Sequence, residues 1–414
     1  MDQIDIFSPQ DYDIILVYLG IVILLAMTFP QFLPRHRITA PIAYLLISVC
    51  VFSFFPQSPL PHLAESPYLG KRLTELGVII SLTAAGLKLQ QPFAWKTWRY
   101  ATRLLIITMP LTIALTAFVG WGFLGFAPAG AMLLGAVIAP TDPVLASDTQ
   151  TTPPDKDDTS ARMALTTEAG LNDGLAFPFT NMAISMVLIG THPSFWFTGW
   201  LVTDVFYKIL VGALMGVVTG WLLAKIIYCC PKPQNKISTL SVGLLALSLT
   251  LLPYGLAELV SSYGFITVFV AACTFRYQET THHHLNVLHD FSEEIERTLV
   301  VILFSILGIY ISHGFLEDFQ WYMVPAALFV VLIIRPLTGI IGLWGTDLNR
   351  SKKYIIAFYG IRGIGSIYYL LYAFYHADFG QSKEILALVT VVILISIFMH
   401  GLSARPVMKR WMPE

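Results

Sequence analysis

The chain has 414 residues, 56% of them hydrophobic and only 12% charged, with a mean hydropathy of +0.68. Soluble proteins carry about 25% charged residues, so this composition excludes an ordinary soluble protein and points to a polytopic membrane protein. The net charge of −1 gives no reason to expect a nucleic-acid partner.

The four cysteines (Cys50, Cys229, Cys230, Cys273) lie in or at the ends of apolar runs. They match neither a disulfide framework nor a spaced metal site and read as small hydrophobes. Asp2, Asp5, Asp11 and Asp13 stand where a signal peptide would carry its basic region, and no soluble domain is expected at either end.

Windows of about 20 apolar residues predict thirteen membrane helices in chain order. They run over 14–33, 38–55, 73–89, 102–124, 128–148, 161–190, 200–228, 237–253, 256–275, 298–316, 321–345, 353–377 and 385–404. The fold class expected is therefore an all-α polytopic membrane protein. With the N-terminus outside, 19 of the 25 basic residues fall in cytoplasmic segments and three (Lys71, Arg72, Lys383) in outward ones. Cytoplasmic loops keep positive charge, so the chain reads as multi-pass in the cell (inner) membrane, N-terminus out and C-terminus cytoplasmic.

Two spans are interrupted. The fifth is broken by Pro140-Thr141-Asp142-Pro143 and the twelfth by Gly360-Ile361-Arg362-Gly363-Ile364-Gly365. Seven spans separate them, the offset expected of an internal repeat. Paired interrupted helices in corresponding positions are a pointer to the binding site of a secondary transporter. Proline removes a backbone donor and clashes with the preceding turn, so the fifth span should unwind near Thr141 and Asp142. There a freed carbonyl, the Thr141 hydroxyl and the Asp142 carboxylate could meet a cation. An equally weighted reading has Asp142 neutralise exposed amides at a helix N-terminus.

The sixth span carries Glu168, Asn172 and Asp173. A carboxylate at membrane depth costs roughly 3 kcal/mol or more, so each is a functional candidate. Arg362 is the deeply placed cation, and arginine binds carboxylates bidentately while staying charged. Glu168 and Arg362 are expected to form a buried structural pair that leaves Asp173 exchangeable; the reverse pairing, Asp173 with Arg362, would lock the site. Desolvation favours the protonated form of a carboxylate, so such a group holds either a proton or a hard cation. That competition is sufficient for antiport.

These motifs carry a resemblance. Thr141-Asp142-Pro143, Glu168 through Asn172-Asp173, Phe265 through Ala271, and Gly360-Ile361-Arg362-Gly363 resemble the monovalent cation:proton antiporter family, in its NhaP-like sodium/proton exchanger branch. The likeness spans nearly the whole chain. It implies thirteen helices in an inverted repeat with two crossed, interrupted helices. It also implies a core bundle over about 102–190 and 321–404, a dimer-forming scaffold over about 14–89 and 237–316, and a linking helix over about 200–228. Asp173 would then bind the ion or proton, Thr141 would be a ligand of the transported Na⁺, Asp142 and Asn172 would belong to the same site, and Glu168 would pair with Arg362.

No cofactor is implied beyond the transported Na⁺ and H⁺, and the partners are those ions, the lipid bilayer and a second copy in a homodimer. Members with Asn-Asp at this place are generally electroneutral, which Asn172 suggests here. Many relatives place Ser directly after the Glu; Ala169 departs from that and leaves the choice among Na⁺, Li⁺ and K⁺ open.

Weaker features have plainer readings. His282, His283, His284 and His289, near Glu293, Glu294 and Glu296, read as a solvated linker entering an amphipathic helix more readily than as a pH sensor. Asp155, Asp157 and Asp158 read equally as a polar loop or a cation attractor. Asp204 and Lys208 are spaced to pair on one helix face, Glu258 and Arg335 have no obvious partner, and Arg335 reads as the cap of a kink before Pro336. An intramembrane aspartyl protease would expect a Gly-rich second aspartate motif, which is missing, and a proton-independent carrier or channel would need a continuous polar path.

Overall fold

A computed structural model describes residues 11–32, 39–54, 67–89, 95–142, 160–229, 239–278 and 283–411. Among these the regular elements are helical. We label the main ones α1 (Asp11–Phe32), α2 (Ala40–Phe54), α3 (Pro67–Lys88), α4 (95–122), α5 (Pro128–Ile138), α6 (Ser160–Leu188), α7 (197–229), α8 (Thr239–Leu259), α9 (Gly264–Gln278) and α10 (His283–His313). The last four are α11 (323–342), α12 (Arg350–Phe358), α13 (Ile364–His376) and α14 (Ser382–Trp411). Counting α12 and α13 as one interrupted span, these correspond to the thirteen predicted spans.

Five helices of the described residues are individually long and apolar enough to cross a membrane, among them Phe197–Ile227, Met323–Gly342 and Ser382–Ala404. The outer face agrees with that. Val202, Phe206, Leu210, Leu214, Val217 and Trp221 form one exposed stripe along α7. An apolar stripe of this length is a liability in water and the natural surface against hydrocarbon.

Helix α9 is the opposite case. It is apolar on every side and buried from Gly264 to Phe269 and from Ala271 to Arg276, as a helix without a polar face must be. Small residues let its neighbours approach. On α7, Gly212, Gly216 and Gly220 recur one turn apart against α9, and a Cβ at Gly220 would stand 2.4 Å from the Ala271 carbonyl oxygen. Close backbone approach through such glycines is how membrane helices gain packing energy without a hydrophobic drive. Helices α3, α6 and α8 also pack on α9, while α2, α3 and α1 pack on α10. Helix α4 packs on α5, α5 on α6, and α11 on both α12 and α14.

The repeat has a second mark, which hydropathy does not reveal. Helix α4 contains a wide π-type segment, Leu104–Thr108, just before Pro110; α11 contains one, Val330–Ile334, just before Pro336. The extra residue of a wide turn accommodates the missing proline donor and rotates the rest of the helix by about 100°. The two segments sit in corresponding helices, and these helices meet at and just beyond them: Thr108 donates to the Thr338 carbonyl at 3.1 Å, and the Thr112 and Thr338 hydroxyls lie 2.8 Å apart.

Several details differ from expectation. Span ten begins as helix at His283 rather than near 298, because α10 runs unbroken for 31 residues through the His/Glu cluster. Its His289 and Glu296 are buried rather than solvated. The link between α8 and α9 falls at 260–263, where Ser261 adopts φ +53°. Cys273 is buried as expected, whereas Cys50 lies exposed on α2. Pro143, the 143–148 end of span five, Asp155, Asp157, Asp158, Cys230 and His282 lie outside the described residues.

Candidate functional site: a crossing of two broken helices

Helix α5 ends at Ile138 and continues as 139–142; α12 ends at Phe358, and the chain runs through 359–363 before α13 begins. These two non-helical segments cross and bond directly, the Asp142 amide donating to the Ile361 carbonyl at 2.8 Å. Unwound backbone at membrane depth persists only where its polar groups are satisfied. Here they are satisfied reciprocally.

The Asp142 Oδ2 accepts from the Ile364 amide at 2.7 Å, so a carboxylate sits at the N-terminus of α13. Arg362 Nη1 donates to the Ala139 and Pro140 carbonyls at 2.6 and 2.8 Å, so a guanidinium sits where α5 ends. Each charge lies at the helix end whose dipole it complements. Below the crossing, the Arg362 amide donates to Ser396 Oγ at 2.8 Å, and His400 Nε2 lies 3.1 Å from the Phe358 carbonyl. Helix α14 thus anchors the break. For Asp142 this is the amide-neutralising geometry.

The Glu168 partner is a correction. Glu168 pairs with Arg335, not Arg362: Arg335 Nη2 lies 2.8 Å from Oε1 and 2.9 Å from Oε2, with both side chains about 3% exposed. Arg362 turns Nη1 to the carbonyls of the α5 break instead, and its Nη2 has no hydrogen-bond partner among the described residues. Arg335 follows the wide turn Val330–Ile334, whose extra residue rotates it toward α6 rather than leaving it as a cap on a kink. Gly360 makes room, since a Cβ there would stand 2.5 Å from Arg335 Nε.

On α6, Asn172 donates through Nδ2 to Thr141 Oγ1 at 2.5 Å, joining the helix to the α5 break. Asp173 is 2% exposed. The Tyr369 hydroxyl donates to its backbone carbonyl, and a Cβ at Gly365 would stand 3.0 Å from Oδ1. Asp173 Oδ1, Asn172 Oδ1 and Ser366 Oγ are buried without hydrogen-bond partners among the described residues. Each can accept a hydrogen bond or a cation, and a buried polar group is not left unpartnered without cause. Asp173 and Asp142 line a cavity with Gly77, Val78, Ser81, Glu296 and Leu303, with space for about one water molecule.

Toward the other end of α13 the surroundings are packed with rings. Phe177 stacks on Tyr263 at 5.0 Å between ring centres and meets Phe265, Tyr369 and Tyr372 edge-on. Beyond this plug, Lys71 stands 4.6 Å above the Tyr375 ring, and the Tyr254 hydroxyl donates to Glu75. Asp204 and Lys208 pair at 2.7 Å as their spacing suggests, and Asn181 donates to the same carboxylate at 2.7 Å.

The sequence thus singled out Thr141, Asp142, Glu168, Asn172, Asp173 and Arg362, and the fold brings all six to the crossing. It missed Arg335, Ser366 and Glu296. For Arg335 the signal was present, an arginine inside an apolar run; for Glu296 it was masked by the surrounding charged residues.

Comparison with known proteins agrees with this geometry. The family model described as "Sodium/hydrogen exchanger, transmembrane" matches residues 20–410. A Na⁺/H⁺ antiporter of Schizosaccharomyces pombe is 24% identical over 307 residues, covering 66% of this chain and 63% of that protein. The Na⁺/H⁺ antiporter NhaH of Halobacillus aidingensis is 25% identical over 252 residues, 59% of each chain. A K⁺/H⁺ antiporter NhaP of Alkalimonas amylolytica is 22% identical over 401 residues, 96% of this chain and 67% of that one. The chain therefore spans less than two thirds of the length of the first two of these relatives.

Among solved structures, the sodium proton antiporter MjNhaP1 of Methanocaldococcus jannaschii superposes with a TM-score of 0.75 at 18% identity, over 98% of this chain and 100% of that one. Fold, crossed broken helices and family match together place this chain in the transmembrane sodium/hydrogen exchanger family, with an NhaP-type antiporter fold.

Proposed function

We propose that this chain is a secondary transporter exchanging a monovalent cation, Na⁺ in the first instance with Li⁺ and K⁺ as competing cargoes, for H⁺. The observation that carries the reading is the contrast among the charges at the crossing. Glu168 has Arg335, Arg362 has two carbonyls, and Asp142 has the α13 amide. Asp173 keeps an unpartnered carboxylate oxygen beside a cavity. A carboxylate so placed must bind either a proton or a cation, and the two compete for it.

Thr141 and Asp142, with Asn172 behind them, complete the site. Asn172 contributes no second titrating group, which supports one-for-one, electroneutral exchange. The helices around the crossing (about 102–190 and 321–404) would move as a core against a scaffold of about 14–89 and 237–316, with the helix over about 200–228 linking them. The cavity on one side of Asp173 and the aromatic plug on the other support alternating access of the elevator kind. The cell (inner) membrane, an outward N-terminus, a cytoplasmic C-terminus and a homodimer through the scaffold belong to the same proposal.

The test is transport in proteoliposomes under an imposed pH gradient, comparing the wild type with Asp173→Asn. Cation-driven proton flux in the wild type that vanishes in the variant is the expected result. Flux surviving the substitution would overturn the reading.

A further inference from the structure

Glu296 has no role in the exchange at Asp173 as proposed, and its position is unusual. It lies on α10, a helix that packs on α1, α2, α3 and α8, yet it lines the same cavity as Asp173 and Asp142. It is 7% exposed, Ser81 of α3 donates to its Oε1 at 3.4 Å, and its Oε2 has no partner among the described residues. Lys88 at the end of α3 and Glu293 one turn back on α10 are the other charges acting on it, besides Asp142.

The cavity wall is therefore built from two sides. One carries Asp142, Asp173, Ile364 and Gly365; the other carries Gly77, Ser81, Glu296 and Leu303. Each wall of this water-sized cavity carries a residue with an unpartnered carboxylate oxygen, and carboxylate and hydroxyl oxygens are the ligands a small hard cation takes.

We propose that Glu296 is a stationary cation ligand that faces the travelling Asp173: it accepts a monovalent cation from water on the side where α3 ends and α10 begins, and hands it to Asp173. This inference rests on the proposed antiport. Because Glu296 belongs to the wall that stays behind when Asp173 moves, it serves loading from one face of the membrane only. The Ser81 hydroxyl orients the carboxylate and leaves Oε2 open to the cavity's occupant.

The experiment measures apparent Na⁺ affinity from each face separately, in proteoliposomes sorted for orientation, at a fixed alkaline pH. Glu296→Gln keeps the shape and the bond from Ser81 but removes the charge. The expected result is about tenfold weaker affinity for loading from the face bearing the α3 C-terminus, with the opposite face and the rate at saturating Na⁺ unchanged. Glu296→Asp, which retains a carboxylate, is expected to recover most of the loss.

A structural role would change both faces alike or lower thermal stability instead, and either that or unchanged affinity overturns the inference. Should Glu296→Gln not be recovered folded, Ser81→Ala, which frees the carboxylate, must show the same one-sided loss of smaller size. Failure of the underlying antiport reading looks different: the wild type itself then shows no cation-driven proton flux.

Discussion

Arg335 reaches Glu168 through a single guanidinium nitrogen that touches both carboxylate oxygens, at 2.8 and 2.9 Å, with both side chains buried. This links α11 to α6 and fixes the helix that carries Asp173. Breaking such a pair leaves an uncompensated buried charge, at a cost of about 3–5 kcal/mol. Arg335→Ala and Glu168→Gln are each expected to lower thermal stability by an amount in that range, and the double variant by much less than the sum. Arg362→Ala combined with Glu168→Gln should be closer to additive. Additive losses for the Arg335 pair in detergent-solubilised protein would remove the contact from consideration.

Asp142 and Arg362 illustrate a different kind of stabilisation, in which each side chain replaces a backbone partner lost at a helix break. The carboxylate bond to the Ile364 amide resembles a helix N-cap, whose loss typically costs about 1 kcal/mol and up to about 2. Asp142→Ala is expected to fall in that range, while Asp142→Asn, still an acceptor, should cost less than half as much. Equal losses for the two variants would mean that the charge, rather than the hydrogen bond, holds α13 in place.

The two glycines of the second break separate stability from affinity. A Cβ at Gly360 would stand 2.5 Å from Arg335 Nε, in a place where the guanidinium cannot retreat without leaving Glu168. Gly360→Ala should therefore mimic Arg335→Ala in its thermal shift. A Cβ at Gly365 would stand 3.0 Å from Asp173 Oδ1, tight but against the oxygen that has no hydrogen-bond partner. Gly365→Ala should leave the melting temperature nearly unchanged and raise the Na⁺ concentration for half-maximal exchange. A large thermal loss without an affinity change at Gly365 would contradict this assignment.

Much of the site is legible in the sequence because membrane depth makes polar residues expensive. Asp173, Glu168 and the Pro-broken Thr141-Asp142 stand out against apolar runs, and hydropathy alone marks out the main helices. What the sequence could not choose was the pairing. Two arginines, Arg335 and Arg362, were each within reach of the crossing, and the deciding factor was helical phase.

The wide turn before Pro336 shifts Arg335 by one residue's rotation, which a regular 3.6-residue count does not anticipate. Glu296 was hidden for another reason. It sits among Glu293, Glu294, Arg297 and four histidines, a neighbourhood that reads as solvated, and only the packing of α10 on α3 shows which face of that helix is dry.

The strongest prediction concerns how protons and cations compete. If Asp173 is the one exchangeable carboxylate, a proton and a Na⁺ exclude each other at a single site. Below the pH at which that site titrates, the apparent KM for Na⁺ should rise about tenfold per pH unit, while the rate at saturating Na⁺ holds steady. At higher pH the KM should level off, because no proton remains to be displaced. A slope nearer a hundredfold per unit would require two protons per cation, and Asn172, unlike an aspartate, supplies no titrating group at its own position. One proton out for one monovalent cation in moves no net charge, so clamping the membrane potential with valinomycin and K⁺ should leave the Na⁺-driven rate unchanged. A rate that follows the potential, or a steeper slope, would show that a second carboxylate joins the cycle: either Glu296 across the cavity, or Asp142, which is tied to the α13 amide at 2.7 Å and would have to release that bond in each turnover.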